Sequence, residues 1–313
     1  MMSASILFIG TDLVHLYEIV QQRWTQVRCF HYATADMPEP DALQSKVLIA
    51  SPSDSQQLIK QMPNLGWVQS IFAGVDLLLS ADLPKNYCLT NIKGIFGPLM
   101  AEYVFSYILA WQRHHHDYRQ AQHQKRWQPQ SYRPIRHMQL LSLGGGGTAQ
   151  GIARIAQQFG MQTFALTRSG EKMPFFNTTR TWDSGQELLS QAQIIVNTLP
   201  ATPATYHCVN ESLLAQFPKQ GLFINVGRGS TVDEPALLRF LERTPKMQVV
   251  LDVFEQEPLT PEHPFWEHPQ VTITPHVAAP SLMEDIEEQI LDNISRYLNQ
   301  QPLKNIIDFS IGY

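Results

Sequence analysis

The stretch that most restricts what this chain can fold into is 140–153, Leu-Leu-Ser-Leu-Gly-Gly-Gly-Gly-Thr-Ala-Gln-Gly-Ile-Ala, where an apolar run empties into glycines and then resumes with helical spacing. That order reads as strand, tight turn, helix. In the register set by Ile152 and Ala153, Gly144, Gly146 and Ala149 occupy the three small positions of the pattern G-x-G-x-x-G/A. The first permits a tight turn, the second a close backbone approach to a pyrophosphate, and the third close packing of helix on strand. The N-terminus of the helix, with Gly147 and Thr148, then faces the phosphates. Four consecutive glycines also suit a flexible loop with no ligand, so the neighbouring segments must decide.

The chain has 313 residues, 43% hydrophobic and 16% charged, which suits one large or two ordinary globular domains. A net charge of -5, with basic residues scattered, argues against nucleic acid or a membrane surface and for small-molecule partners. Cys29, Cys88 and Cys208 are odd in number, far apart and without metal-ligand spacing, as expected of buried reduced thiols. No metal site is expected. His114, His115 and His116 lie inside a helical pattern and read as a solvated helix face. Residues 1–10 lack a basic leader, and no apolar run reaches the roughly 18 residues of a membrane helix, so a cytoplasmic location is expected.

Short apolar strands alternate with amphipathic segments over 6–10, 13–24, 27–32, 46–50, 55–62, 67–72 and 87–92, which implies parallel βα units. Within them Ala73-Gly74-Val75-Asp76 closes a strand and opens a helix-like segment, leaving N–H groups where an anion can sit. Gly94 to Pro98 punctuates the chain, and the apolar pattern through Val104, Ile108 and Trp111 predicts one long helix from Leu99 toward Trp127. Beyond the loop 128–136 and the glycine turn, an apolar helix face ends at Phe159 with Gly160 as its cap. Strands are expected at 163–167, 194–199, 222–226, 249–253 and 271–274, and a helix at 281–299 capped by Ser281 with Glu284. The fold class is α/β: a doubly wound parallel sheet over 98–281 forming a Rossmann dinucleotide-binding domain, and a flavodoxin-like substrate domain from 1–97 plus 282–313.

At the end of the second strand of such a domain an acid often meets the ribose hydroxyls, but here the chain reads Thr167-Arg168-Ser169. A guanidinium beside two hydroxyls accepts a 2′-phosphate, so NADP(H) is preferred over NAD(H), with NAD(H) still possible. Three further strand ends carry polar signals: Asn225-Val226-Gly227-Arg228-Gly229, Leu251 to Pro258 with Asp252 and Glu257, and Thr274-Pro275-His276-Val277-Ala278-Ala279. Singly, each has a dull explanation: a turn arginine, a surface acid, a core histidine. Together, in this order and after a dinucleotide turn, they are far more specific.

Seven pieces in order, 73–76 (AGVD), 101–104 (AEYV), 144–149, 197–203 (NTLPATP), 225–229 (NVGRG), 251–258 (LDVFEQEP) and 274–279 (TPHVAA), make the chain resemble the D-isomer-specific 2-hydroxyacid dehydrogenases. The glyoxylate/hydroxypyruvate reductase branch is the most similar. The resemblance implies that Arg228 grips the substrate carboxylate and carbonyl, that His276 is the acid/base, and that Glu257 orients and charges it. It also implies that Ala73, Gly74 and Val75 bind the carboxylate through N–H groups. Thr198, Leu199, Pro200, Val226 and Gly227 would line the cofactor slot, and Asp252 would receive the nicotinamide carboxamide, with capping of its strand end an almost equally plain role. The function expected is NADPH-dependent reduction of glyoxylate or hydroxypyruvate. A dehydrogenase of a larger acid such as phosphoglycerate, and a dinucleotide-sensing co-repressor-type protein, are the alternatives. A homodimer is implied, built on the aromatic-rich segment 99–127.

Overall fold

The computed structural model describes residues 4 to 310, so the outermost residues of the expected first domain, 1–3 and 311–313, lie outside the described residues. The chain divides into two compact units, Met1–Ile95 with Ser281–Tyr313, and Phe96–Pro280.

In the first unit the order is β1 (Ser5–Ile9), α1 (Val14–Arg23), β2 (Arg28–Tyr32), β3 (Val47–Ala50), α2 (Pro52–Leu58), β4 (Trp67–Ser70) and β5 (Cys88–Thr90). All strands pair in parallel, in the order β2-β1-β3-β4-β5. Strands β3 and β4 are buried along their whole length, which is why they are unbroken apolar runs or carry polar residues only where a partner waits. Buried Gln69 on β4 is such a case. Its Oε1 accepts from Thr90 Oγ1 at 2.8 Å, and Thr90 Oγ1 accepts from Trp67 Nε1 at 2.8 Å.

The second unit holds α3 (Phe96–Gln112), α4 (His115–His123), β6 (Gln139–Leu143), α5 (Gly147–Gln158), β7 (Gln162–Thr167), β8 (Thr178–Thr181), α6 (Gln186–Gln191), β9 (Ile194–Asn197), α7 (Glu211–Leu214), β10 (Gln220–Asn225), α8 (Glu234–Arg243), β11 (Lys246–Leu251) and β12 (Val271–Ile273). Its seven strands are parallel in the order β12-β11-β10-β9-β6-β7-β8. The chain therefore reverses direction across the sheet on either side of β6, and the carboxyl ends of β6, β7 and β9 border the crevice where ligands bind in such sheets. Helix α5 lies close to α3: a side chain at Gly151 would begin 2.6 Å from the Cα of Gly97, so both positions must stay bare.

The chain then returns to the first unit as α9 (Met283–Leu298). Ile286, Ile290 and Ile294 are fully buried on one face, each contributing about 1.5–3 kcal/mol. Between them Asn293 donates to Gln69 Oε1 at 2.9 Å and accepts from Lys304 N at 2.8 Å, which ties α9 to the polar centre of the sheet.

Four local expectations need correction. The long helix over 99–127 is two helices, broken at His114, whose φ is 54°. The reason is loss of a core: the buried positions of α3 end at Ile108 and Gln112, and α4 buries none of its residues. Helix α9 starts at Met283, not after a Ser281 cap; its N-cap is Leu282, without a side-chain bond, and Glu284 and Asp285 stabilise its first turn through the helix dipole instead. Phe159 is partly exposed and stacks on Phe105 at 5.1 Å. The three cysteines are free but only partly buried, and burial pushes the thiols of Cys29 and Cys208 up to about 11. Strand β8 was not anticipated, because Thr-Thr-Arg-Thr at a sheet edge has no apolar alternation to betray it.

Candidate active site

The glycine turn resolves into a single register. Gly144 follows β6 directly with φ 103°, a conformation that disfavours any side chain, and a Cβ there would meet Thr198 Oγ1 at 2.8 Å. Gly146 is the N-cap of α5, and nothing lies within 4 Å of where its side chain would be. The same holds for Gly147, so the turn leaves space for a ligand above N–H groups of the first turn that have no acceptor within the helix. Ala149 is fully buried against Ala153, Ala165 and Phe176, so the third small position lets α5 close on the sheet. The residues present therefore fit a dinucleotide.

Around this turn the expected cofactor residues fall at strand ends. Thr167 ends β7 and its Oγ1 accepts from Gly170 N at 3.0 Å, turning the chain so that Arg168 and Ser169 stand exposed. Thr198 follows β9 and donates to the carbonyl of Leu143 at 3.0 Å, while Leu199 is buried and Pro200 exposed. Val226 and Gly227 are buried.

Arg228 is presented by a polar network that sequence reasoning did not single out. Asn225 Oδ1 accepts from Asn197 Nδ2 at 3.0 Å and from Gly227 N at 3.2 Å, and Thr231 Oγ1 donates to the Arg228 carbonyl at 2.6 Å. Both asparagines are buried at strand ends, and the first residue of each of the NTLP and NVGRG pieces is the signal that marks them. Gly229 then packs so tightly that a Cβ would lie 1.8 Å from the carbonyl carbon of Phe254. This brings the Arg228 turn against the segment that carries Glu257.

Glu257 and His276 meet directly, His276 Nδ1 to Glu257 Oε2 at 2.7 Å. The other carboxylate oxygen of Glu257 accepts from Phe254 N at 2.9 Å, so the acid is aimed from both sides. The hydrogen bond that His276 donates to Glu257 raises the imidazole pKa above its ordinary value, against burial, with the Glu257 charge adding to the effect, the Arg228 charge opposing it and the Asp252 charge assisting. Burial alone would raise the carboxyl of Glu257. The bonds from His276 and Phe254 N, with the charges of His276 and Arg228, outweigh it and hold the group below its ordinary value. The pair thus favours imidazolium beside carboxylate, within the field of a guanidinium.

Asp252 lies buried beside this pair and is bonded to the turn that carries His276. It is 1% exposed, Oδ1 accepts from Val277 N at 2.9 Å and Thr274 Oγ1 at 2.5 Å, and Oδ2 accepts from Ala278 N at 2.9 Å. Its carboxylate holds the turn after β12, in which His276 has φ 54°. A histidine in the left-handed region costs on the order of 1 kcal/mol or more, and Asp252 supplies the bonds that sustain it. In the first unit, Asp76 opens a short 3₁₀ turn after Val75, and the carbonyl of Ala73 accepts from Asn91 Nδ2 at 2.6 Å.

A histidine–carboxylate pair beside a guanidinium, at the carboxyl edge of a dinucleotide-type sheet, can hold a carboxylate and move a proton to an adjacent oxygen. Comparison with known proteins identifies the family. The family model for the D-isomer specific 2-hydroxyacid dehydrogenase NAD binding domain matches residues 105–278, more than half of the chain. Glyoxylate/hydroxypyruvate reductase A of Serratia proteamaculans is 31% identical over 264 residues, covering 81% of this chain and 84% of that protein. A D-isomer specific 2-hydroxyacid dehydrogenase family protein from Aeromonas salmonicida is 36% identical, with a TM-score of 0.89 over 98% of this chain and 99% of that one. The NADPH-dependent glyoxylate/hydroxypyruvate reductase of Sinorhizobium meliloti, solved with NADP and sulfate, is 25% identical, with a TM-score of 0.88 over 99% and 100%. The chain belongs to the D-isomer specific 2-hydroxyacid dehydrogenase family, and its second unit carries the NAD-binding domain of that family of oxidoreductases.

Proposed function

We propose that this protein reduces small 2-oxo acids, glyoxylate or hydroxypyruvate, to the 2-hydroxy acids with NADPH. The observation that carries the reading is the 2.7 Å pair of His276 and Glu257 beside Arg228. The names of the Serratia and Sinorhizobium relatives support the substrate class.

In this mechanism Arg228 binds the substrate carboxylate through its planar fork, which also draws the carbonyl oxygen toward positive charge. The chemistry supplied by the cofactor when bound is hydride donation. As negative charge develops on the carbonyl oxygen, His276 gives up a proton from Nε2, and Glu257 stabilises the imidazolium until that moment. The Ala73 to Val75 turn is an anion-binding element working through its N–H groups. Gly144, Gly146, Gly147, Thr148 and Ala149 would hold the pyrophosphate. Exposed Arg168, flanked by Thr167 and Ser169 with no acid among the three, favours the 2′-phosphate of NADP(H) over NAD(H). Asp252 acts behind His276, holding its turn.

Purified protein is expected to oxidise NADPH with glyoxylate or hydroxypyruvate, and His276→Ala to abolish the reaction. A panel of short 2-oxo acids without turnover on either nicotinamide refutes the proposal.

The same reading includes a homodimer. Helix α4 buries none of its residues, and Tyr118 on it and Trp127 beyond it are 40% and 99% exposed, aromatic surface that a second copy of the chain would cover. Sedimentation at micromolar concentration is expected to give the dimer mass, and a monomer mass defeats this part. No helix among the described residues is long and apolar enough to cross a membrane, and the cytoplasm is the location proposed.

A further inference from the structure

Behind His276 runs a chain of hydroxyl groups that the mechanism leaves unused. The phenol oxygen of Tyr103 on α3 lies 2.5 Å from Thr274 Oγ1, and Thr274 Oγ1 lies 2.5 Å from Asp252 Oδ1. The direction of these bonds follows from chemistry. A carboxylate can only accept, so Thr274 spends its one hydrogen on Asp252, and Tyr103 must then be the donor to Thr274. Burial pushes the Tyr103 phenol up, which keeps it protonated, and so a donor, across the working pH range.

What this chain holds is the turn that carries His276. The Asp252 carboxylate takes the N–H groups of Val277 and Ala278, and its backbone carbonyl takes the N–H of His276 at 2.8 Å. Those bonds bracket the residue that sits in the left-handed region. Tyr103 is itself fixed: its ring packs at 4.9 Å from Tyr107, and α3 is locked to α5 where Gly97 meets Gly151. One helix thus touches both the phosphate-binding helix and the catalytic turn.

We infer that Tyr103 and Thr274 are positioning residues for His276, acting through Asp252 to set the turn in which Nδ1 meets Glu257 and Nε2 is left for the substrate. The inference rests on the reading of His276 as the proton donor. The charged groups that act on His276 are Glu257, Arg228 and Asp252, and the hydroxyl chain reaches it only through the last of these.

The test uses Thr274→Val, Thr274→Ser, Tyr103→Phe and the Tyr103→Phe/Thr274→Val double variant of the full chain. Two measurements are made on each: the pH dependence of kcat and kcat/KM for glyoxylate with NADPH, and the titration of the His276 ring by NMR in the ligand-free protein. Thr274→Val is expected to lower kcat about tenfold, the loss of one hydrogen bond to a charged group. KM for NADPH should stay within about twofold, because the loss concerns the proton and not the cofactor. The alkaline limb and the ring titration should both move to lower pH, as His276 loses its alignment with Glu257. Thr274→Ser should restore most of the activity and the titration.

Tyr103→Phe is expected to act in the same direction but less strongly, and to add nothing to Thr274→Val, because it works through that hydroxyl. A folded Thr274→Val protein with the wild-type ring titration and pH profile overturns the inference, as do losses that multiply in the double variant. If Thr274→Val fails to fold, Tyr103→Phe decides: an unmoved ring titration overturns the inference and a lowered one supports it. A wild-type protein that turns over no 2-oxo acid defeats the functional reading instead, and the NMR titrations still decide the positioning role.

Discussion

Replacing Glu257 by glutamine keeps the size and shape of the side chain and removes the charge that faces His276. Of the influences on the imidazole, the Glu257 hydrogen bond and its charge raise the pKa; burial and Arg228 lower it, leaving only Asp252 on the raising side. The substitution therefore moves the His276 titration down. A hydrogen bond to a charged group is worth about 1.5–3 kcal/mol, and with side chains 52% and 34% exposed the lower end applies, which is about a tenfold effect. In the proposed mechanism the reduction needs imidazolium, so kcat/KM for glyoxylate should fall about tenfold at alkaline pH and much less on the acid plateau. The signature is a loss that depends on pH.

The assay is initial-rate NADPH oxidation from pH 5.5 to 9.5 on both proteins. An alkaline limb that stays in place, or moves up, refutes the assignment of Glu257 as the group that charges His276. Stability should follow the same linkage. The raised pKa of His276 stabilises the fold below the unfolded-state value near 6.5 and is lost as pH rises through the folded value. The lowered pKa of Glu257 stabilises above about 4.5 and is lost as pH falls through its folded value. The pair therefore contributes fully only between those limits, and by roughly the same 1–1.5 kcal/mol at this exposure.

Three other outcomes are expected. Arg228→Lys keeps the charge but loses the fork, and kcat/KM should fall about 10- to 100-fold, mostly through KM for the acid; an unchanged KM argues against carboxylate binding there. Arg168→Ala should raise KM for NADPH about tenfold and leave KM for NADH unaltered, and equal effects on the two cofactors would remove the 2′-phosphate from its role. Gly151→Ala gains about 1 kcal/mol of helix propensity but forces a Cβ to within 2.6 Å of Gly97 Cα, so net destabilisation of about 1–2 kcal/mol and a lower Tm by calorimetry are expected. A higher Tm would mean that α3 and α5 are free to separate.

The parallel α/β architecture was legible because its strands are runs of buried apolar residues, and β3, β9 and the body of β10 are buried on both faces. The glycine register was legible from Ile152 and Ala153, since both are buried on the face of α5 that meets the sheet. Helix ends were less so. Ser281 has the chemistry of a cap, yet the helix starts where its apolar stripe begins to be buried, and His114 lies within a sequence of good helical composition with no core beneath it. Arg228, Glu257 and His276 drew notice as charged groups at strand ends. Their supports, Asn197, Asn225, Thr231, Thr274 and Tyr103, are neutral residues whose meaning comes only from partners distant in sequence, such as the 171 positions between Tyr103 and Thr274.

The contact of Gly229 with Phe254 also bears on how such a sequence can change over time. Where a would-be Cβ lies 1.8 Å from the backbone of another loop, position 229 cannot take up any side chain without displacing that loop. The turn of Arg228 and the segment leading to Glu257 must then vary as one piece. Diversification of substrate among descendants of this chain is thereby pushed out of these loops, and a library that randomises loop length there would return mostly inactive clones.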